Sequence, residues 1–182
     1  VFLDRDGTLV REVGYLSRLE DLEVLPGVAS ALRRLGAAGY VRLVVTNQSG
    51  VARGYFDQAF VEETHGELLR RLQEEGAFLE GFYVCPHHPD ITGACACRKP
   101  RDGLLRQAAG EWALDLRACW VVGDKAADVE LARRAGCQAA LVRTGYGMET
   151  EAELALRGGK PDVVADDLAG AVEAILALSG HG

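Results

Sequence analysis

No run of apolar residues approaches the roughly 20 needed to cross a bilayer, so a membrane span is not expected in these 182 residues. No secretory leader is visible, and the cytoplasm is the expected compartment. Basic residues are in deficit: 20 Lys and Arg against 27 Asp and Glu leave a net charge of −7. A general binder of nucleic-acid backbone needs a basic face, so nucleic acid is not expected as a partner. Small anions remain compatible, because a few local cations can override the global charge. Repeats, low-complexity tracts and linkers are absent, which favours one domain spanning residues 1–182 and, by default, a monomer.

What is present alternates. Short apolar runs at Val1–Leu3, Val41–Val45, Phe82–Val84, Trp120–Val122, Ala139–Val142 and Val163–Val164 read as strands. Between them lie segments of helical periodicity: Val28, Leu32 and Leu35 after Pro26-Gly27, then Asp57 to about Glu75 with Phe60, Leu68 and Leu72 on its apolar face. Further helical segments are expected near 101–113, at Asp128–Arg134 and at Leu168–Leu178. Strands alternating with helices predict an α/β fold with a central parallel sheet covered on both faces. Ligands of such sheets bind at the carboxyl ends of the strands.

Five cysteines are an odd set. Cys119 and Cys137 lie beside apolar runs and read as small core residues. The other three crowd a stretch that reads Cys85-Pro86-His87-His88 and then Cys95-Ala96-Cys97. Three thiols and one imidazole complete a tetrahedral zinc shell, and four protein ligands imply a structural ion rather than a catalytic one. The imidazole can come from His87 or His88. The intervening stretch, with Pro86, Pro89 and Gly93, has no periodicity and cannot build its own core, so a metal clip would order it.

Four pieces sit at or just after predicted strand ends: Leu3-Asp4-Arg5-Asp6-Gly7-Thr8, Val44-Val45-Thr46-Asn47, Arg98-Lys99-Pro100 and Val121-Val122-Gly123-Asp124-Lys125. In this order the set resembles the haloacid dehalogenase superfamily of phosphotransferases. The resemblance implies a three-layer Rossmann-like fold and a Mg²⁺-dependent phosphatase. It makes Asp4 the nucleophile that forms an aspartyl-phosphate, and Asp6 the acid and then the base. Thr46 and Lys99 bind the transferring phosphoryl group. Mg²⁺ is held by the Asp4 carboxylate, the Asp6 backbone carbonyl and Asp124. Two carboxylates so close should push one pKa upward, which would suit Asp6 as acid. Plainer readings exist: Thr46 as a strand-end hydroxyl, Lys99 as a surface lysine, Asp124 as a helix N-cap. Asp128 reads equally as a partner of Lys99 or the metal shell and as an ordinary first-turn acid. No long insertion follows the first or third strand, so no mobile cap domain is expected.

The zinc loop makes the chain similar to one branch of that superfamily, which holds the D,D-heptose 1,7-bisphosphate 7-phosphatases and the histidinol-phosphate phosphatases. The family pattern prefers His87, with Cys85, Cys95 and Cys97, as the zinc shell. The stretch Thr46-Asn47-Gln48-Ser49-Gly50-Val51-Ala52-Arg53-Gly54 resembles the heptose group, where the histidinol group usually has T-N-Q-D-G. The resemblance implies a phosphorylated sugar as substrate, hydrolysed at its 7-phosphate on a route to nucleotide-activated heptose and surface polysaccharide. Histidinol phosphate is the alternative. Arg5, Glu12, Val13, Gly14, Tyr15, Asn47, Gln48 and Ser49 are expected to contact the substrate. Arg98 is expected to hold a second phosphate bidentately, and Arg53 either assists or only fixes its loop. Asn47-Gln48-Ser49 also matches a glycosylation sequon, a coincidence inside a site turn.

Overall fold

The computed structural model describes residues 1–180. Six strands form one parallel sheet: β1 (Phe2–Leu3), β2 (Leu43–Asn47), β3 (Gly81–Cys85), β4 (Trp120–Gly123), β5 (Gln138–Val142) and β6 (Val163–Ala165), in the order β3-β2-β1-β4-β5-β6. The helices are α1 (Val28–Ala37), α2 (Gln58–Glu74), α3 (Pro89–Thr92), α4 (Gly103–Trp112), α5 (Ala126–Ala135), α6 (Gly147–Leu156) and α7 (Leu168–Leu178). None is long and apolar enough to cross a membrane among the described residues.

Alternation along the strands builds two cores. Leu3, Val44, Val122, Ala140 and Val142 face α1, α2 and α7, against Leu32, Leu35, Leu68, Leu72 and Ile175. Phe2, Leu43, Val45, Val121, Ala139 and Leu141 face α4, α5 and α6, against Leu105, Ala108, Val129, Ala132 and Leu154. Successive side chains of a strand point to opposite faces, so fully apolar strands require helices on both sides. The result is the expected three-layer sandwich. The segment between Asp4 and Val28 holds one 3₁₀ turn at Leu19–Asp21 and two isolated bridges, with no cap domain inserted.

The elements differ from expectation at a few points. β2 starts and ends two residues later than the apolar run, because its register with β3 runs on to Asn47↔Cys85. Val41 instead accepts a bond from the amino terminus of Val1. The α2 face is made by Val61, Thr64, His65, Leu68 and Leu72, while Phe60 is half-buried and packs on Phe56. Asp57 caps α2 as expected, accepting from the Phe60 N–H at 2.8 Å. Helix α6 had no legible signal, since only Gly147, Thr150 and Leu154 of its ten residues are buried. Inside the metal loop, Pro89 at the first turn and His88 as N-cap start the short α3.

Candidate active site and metal loop

Asp4, Thr46 and Asp124 stand at the carboxyl ends of β1, β2 and β4, which are neighbours in the sheet. Asp4 is 5% exposed. Its Oδ1 accepts from the Arg5 backbone N–H at 2.7 Å and faces Lys99 Nζ at 2.8 Å. Lys99 is buried as well, and its Nζ lies 2.7 Å from Asp128 Oδ1. The surface-lysine reading of Lys99 therefore fails, and Asp128 is its partner. Asp128 also accepts from the Lys125 N–H and so caps α5. Lys125, not Asp124, occupies the N-cap position of that helix. Burial pushes the Asp4 carboxyl up to about 6, with Lys99 pulling the other way and Asp128 adding to the rise. Lys99 loses by burial but gains more from Asp128 and Asp4, so its pKa lies above the usual lysine range.

Asp6 behaves differently. Burial works against its charge, yet the Arg5 guanidinium outweighs burial and holds the carboxyl below the usual range. Arg5 Nε and Nη2 fork onto both Asp6 oxygens at 2.9–3.2 Å, and Gln48 Nε2 donates to Oδ2 at 2.8 Å. The same Gln48 nitrogen lies 2.8 Å from Thr46 Oγ1. The upward shift expected of Asp6 thus falls on Asp4 and Asp124 instead. The reason is Arg5, whose side chain is 2% exposed and turned to Asp6 and His65.

Carboxylate oxygens of Asp4, Asp124 and Asp128 all lie within 4.8 Å of one another. Asp124 Oδ2 accepts from the Tyr146 N–H at 2.9 Å, while Oδ1 is buried without a hydrogen-bond partner. Burial, opposed by Lys125 and reinforced by Asp4, pushes Asp124 up to about 7. An orphaned buried carboxylate oxygen among further acids is what a hard divalent cation satisfies, so these residues fit Mg²⁺. Two glycines make the room. A Cβ on Gly7 or on Gly145 would collide with Asp124 Oδ2, and both backbones are left-handed (φ +86° and +57°). Thr144 Oγ1 closes this side by donating to the Gly7 carbonyl at 2.5 Å. The turn at 144–146 contributes through backbone and shape rather than through an ionisable side chain.

The metal loop closes as a cluster. Cys85, His87, Cys95 and Cys97 bring one ligand atom each within 4.8 Å of the others. Cys85 Sγ is 3.7 Å from Cys95 Sγ and 3.1 Å from Cys97 Sγ, and His87 Nδ1 is 3.2 Å from Cys97 Sγ. A tetrahedron with Zn–S bonds of about 2.3 Å has edges of roughly 3.8 Å, so the donors fit a structural zinc. Burial opposes ionising the Cys95 thiol, but hydrogen bonds from Cys97 and the Arg98 backbone bring it down to about 7. His88 turns away, its Nε2 2.7 Å from Arg53 Nη2. Cys119 is buried and Cys137 half-buried, both in the core layer.

One clamp closes this loop on itself and another ties it to β2. Arg98 Nη1 donates to the His87 carbonyl at 3.0 Å. The Asn47 side-chain amide exchanges two hydrogen bonds with the Lys99 backbone, at 3.0 and 3.3 Å.

A cavity of about 170 Å³ opens beside Asp6. Arg5, Asp6, Glu12, Gly14 and Tyr15 line one side, and Asn47, Gln48, Ser49 and Arg98 another. Val13 and Arg53 are outside this lining: Val13 is exposed, and Arg53 lies 6.0 Å from the Tyr15 ring. Lys125 lines the cavity and carried no signal of its own in the sequence, though it directly follows Asp124. Its Nζ bonds Glu12 Oε2 at 2.7 Å and sits 5.1 Å over the Tyr146 ring. Burial disfavours its charge, but Asp124, Asp4 and Glu12 more than offset this and raise its pKa.

Asp4 and Asp124 at the ends of adjacent parallel strands, with Lys99 buried between Asp4 and Asp128 of α5, define a phosphohydrolase of the haloacid dehalogenase type. Residues 96–171 match the HAD-hydrolase-like family model. A D-glycero-D-manno-heptose-1,7-bisphosphate 7-phosphatase of Thermosynechococcus vestitus is 46% identical, with 95% of this chain and 93% of that protein aligned. A D-glycero-beta-D-manno-heptose-1,7-bisphosphate 7-phosphatase of Pseudomonas aeruginosa is 39% identical over 97% of each chain. The crystal structure of D,D-heptose 1,7-bisphosphate phosphatase from Bordetella bronchiseptica, complexed with magnesium and phosphate, superposes with a TM-score of 0.89 at 37% identity over 98% of both chains. The chain belongs to the D-glycero-D-manno-heptose-1,7-bisphosphate 7-phosphatase family of the haloacid dehalogenase superfamily.

Proposed function

We propose that this chain hydrolyses the 7-phosphate of D-glycero-D-manno-heptose 1,7-bisphosphate and leaves the 1-phosphate in place. The observation that carries the mechanism is the buried Asp4 carboxylate held 2.8 Å from Lys99 at the end of the central strand. Asp4 attacks phosphorus in line, and the bond to the sugar 7-oxygen breaks. Asp6 delivers a proton to that oxygen. Asp6 then takes a proton from the water that hydrolyses the aspartyl-phosphate, which releases inorganic phosphate and restores Asp4. Arg5 keeps Asp6 ionised at rest, so Asp6 takes up a proton from solvent as the substrate binds, because the phosphate dianion beside it favours the neutral acid. Thr46 and Lys99 bind the equatorial oxygens as charge develops there.

Asp4, Asp124 and the Asp6 carbonyl would hold Mg²⁺. The ion supplies the positive charge that lets a phosphate dianion approach a carboxylate. Zinc on Cys85, His87, Cys95 and Cys97 would fix the loop that carries Arg98 and Lys99. Arg98 takes the 1-phosphate. Glu12, Gly14, Tyr15, Asn47, Gln48 and Ser49 surround the sugar, with Val13 and Arg53 shaping the rim. We infer a single-domain monomer in the cytoplasm, acting on a small phosphorylated sugar rather than nucleic acid. Its product, a sugar 1-phosphate, is the class that nucleotidyl transfer consumes on the way to surface polysaccharide.

The test is phosphate release with Mg²⁺ from heptose 1,7-bisphosphate and histidinol phosphate, side by side. A kcat/KM advantage of at least about 100-fold for the heptose ester is expected, and Arg98→Ala should erase much of it through KM. A preference for histidinol phosphate would overturn the substrate and leave the chemistry standing.

A further inference from the structure

The apolar face of α2 carries one residue that packing alone does not explain. His65 is 7% exposed, and its ring stacks on Phe82 at 4.2 Å between centroids and 18° between planes. Its Nε2 lies 3.4 Å from Arg5 Nη1. Arginine has donors only, so Nε2 must accept, and the proton belongs on Nδ1. Burial, reinforced by Arg5, drives the His65 pKa down to about 3, which keeps the ring neutral and able to accept.

We propose that His65 is a positioning residue for Asp6, acting through Arg5. The other Arg5 nitrogens, Nε and Nη2, are both committed to the Asp6 carboxylate, and Nη1 reaches back to His65. A guanidinium buried this deeply loses a partner at high cost. Without His65, Nη1 would draw the guanidinium out of its fork, and the Asp6 carboxyl would lose the plane that Arg5 and Gln48 impose on it. Proton transfer depends on that plane, because donor and acceptor must meet within hydrogen-bond reach of the leaving oxygen. The inference rests on the reading of Asp6 as the proton-transfer group. It concerns a residue about 60 positions away in the chain and on a different element.

Leaving groups separate positioning from simple structural support. A sugar alkoxide needs a proton in order to leave, whereas p-nitrophenolate departs without one. Single-turnover cleavage of heptose 1,7-bisphosphate and of p-nitrophenyl phosphate, with enzyme in excess, reports only the first step of each reaction. His65→Leu should slow the alkyl ester by about 10- to 100-fold and the aryl ester by less than about threefold. His65→Gln restores an acceptor and should recover most of the alkyl rate. A cavity of about 280 Å³ borders the ring, lined by Val51, Val61, Phe82, Val84 and Pro86 among others, and is large enough for added imidazole. Should the leucine variant not fold, imidazole must rescue alkyl cleavage in His65→Ala. Equal losses on both esters, no loss on either, or no recovery by glutamine or imidazole would overturn the proposal. Failure of the wild type on the heptose ester alone would remove the proposed substrate. The alkyl–aryl contrast would then run on glucose 6-phosphate and still decide the role of His65.

Discussion

Replacing Asp124 by asparagine should stabilise the protein in the absence of Mg²⁺ while abolishing its turnover. The side chain is 0% exposed, and one of its oxygens has no hydrogen-bond partner. Its carboxyl is raised from the ordinary 3.8 to about 7. Between those values the folded state keeps a proton that the unfolded state has lost, so stability falls as pH rises through this window. The penalty is complete above about pH 7. A shift of that size corresponds to about 4 kcal/mol against the charged form. Water entering the relaxed pocket screens about half of it, leaving roughly 2 kcal/mol for Asp124→Asn to recover. In a chain of this length that amounts to about 4–8 °C in Tm. The assay is thermal unfolding of zinc-loaded protein, dialysed free of Mg²⁺, at pH 8 and at pH 5. The variant should melt higher at pH 8, and the gap should shrink towards pH 5, where wild-type Asp124 is protonated. Saturating Mg²⁺ should raise the wild type, by about 2.7 kcal/mol at 100 Kd, and should barely move the variant. Equal melting temperatures at pH 8 without Mg²⁺, or a gap independent of pH, would refute the electrostatic account.

Asp4→Asn should lower kcat by about 10⁴ or more with the fold retained; aspartyl-phosphate trapped on this variant would sink the nucleophile assignment. Cys97→Ser should reduce bound zinc and Tm and raise KM, because the loop carries both Arg98 and Lys99; unchanged zinc by elemental analysis would show the clip to be misassigned. Gly7→Ala should cost activity at least about tenfold, since a methyl there meets Asp124 as well as a left-handed backbone. Gly39→Ala, equally left-handed but with nothing within 4 Å and remote from the site, serves as its control, and comparable activity in the two variants would remove the steric argument.

The ionisable side chains that the structure gathers at the carboxyl edge of the sheet were legible in the sequence. Asp4, Asp6, Lys99 and Asp124 converge because each follows an apolar run or a metal clip, and such punctuation survives in one dimension. The three-layer architecture was legible for the same reason, since strands apolar on both faces need helices on both sides. Helix α6 was not, because three buried positions in ten residues leave almost no periodicity. Lys125 has no signal of its own beside Asp124, since its partner Glu12 lies 113 positions away. The low pKa of Asp6 could not be read from spacing. Two acids a residue apart suggest mutual repulsion, and only the inward turn of Arg5 reverses that expectation. His65 sends no signal of its own from within a helical run; stacking on Phe82 and the approach to Arg5 are visible only in three dimensions.

The central strand β1 has only two residues, and both flanking partners come later in the chain: Phe2 pairs with Leu43 on one side and with Val121 on the other. On the ribosome, the segment bearing Asp4 and Asp6 emerges ahead of both neighbours and is fully paired only when β4 arrives. Its second neighbour is not yet synthesised when the first three strands could already associate. Closing such a long-range parallel pairing is slow and leaves apolar edges bare in the meantime. The nascent chain therefore passes through a stage with an open β1 edge, in which Phe2 and Leu3 lack half of their sheet. Demand for chaperones during synthesis should fall sharply once β4 clears the exit tunnel.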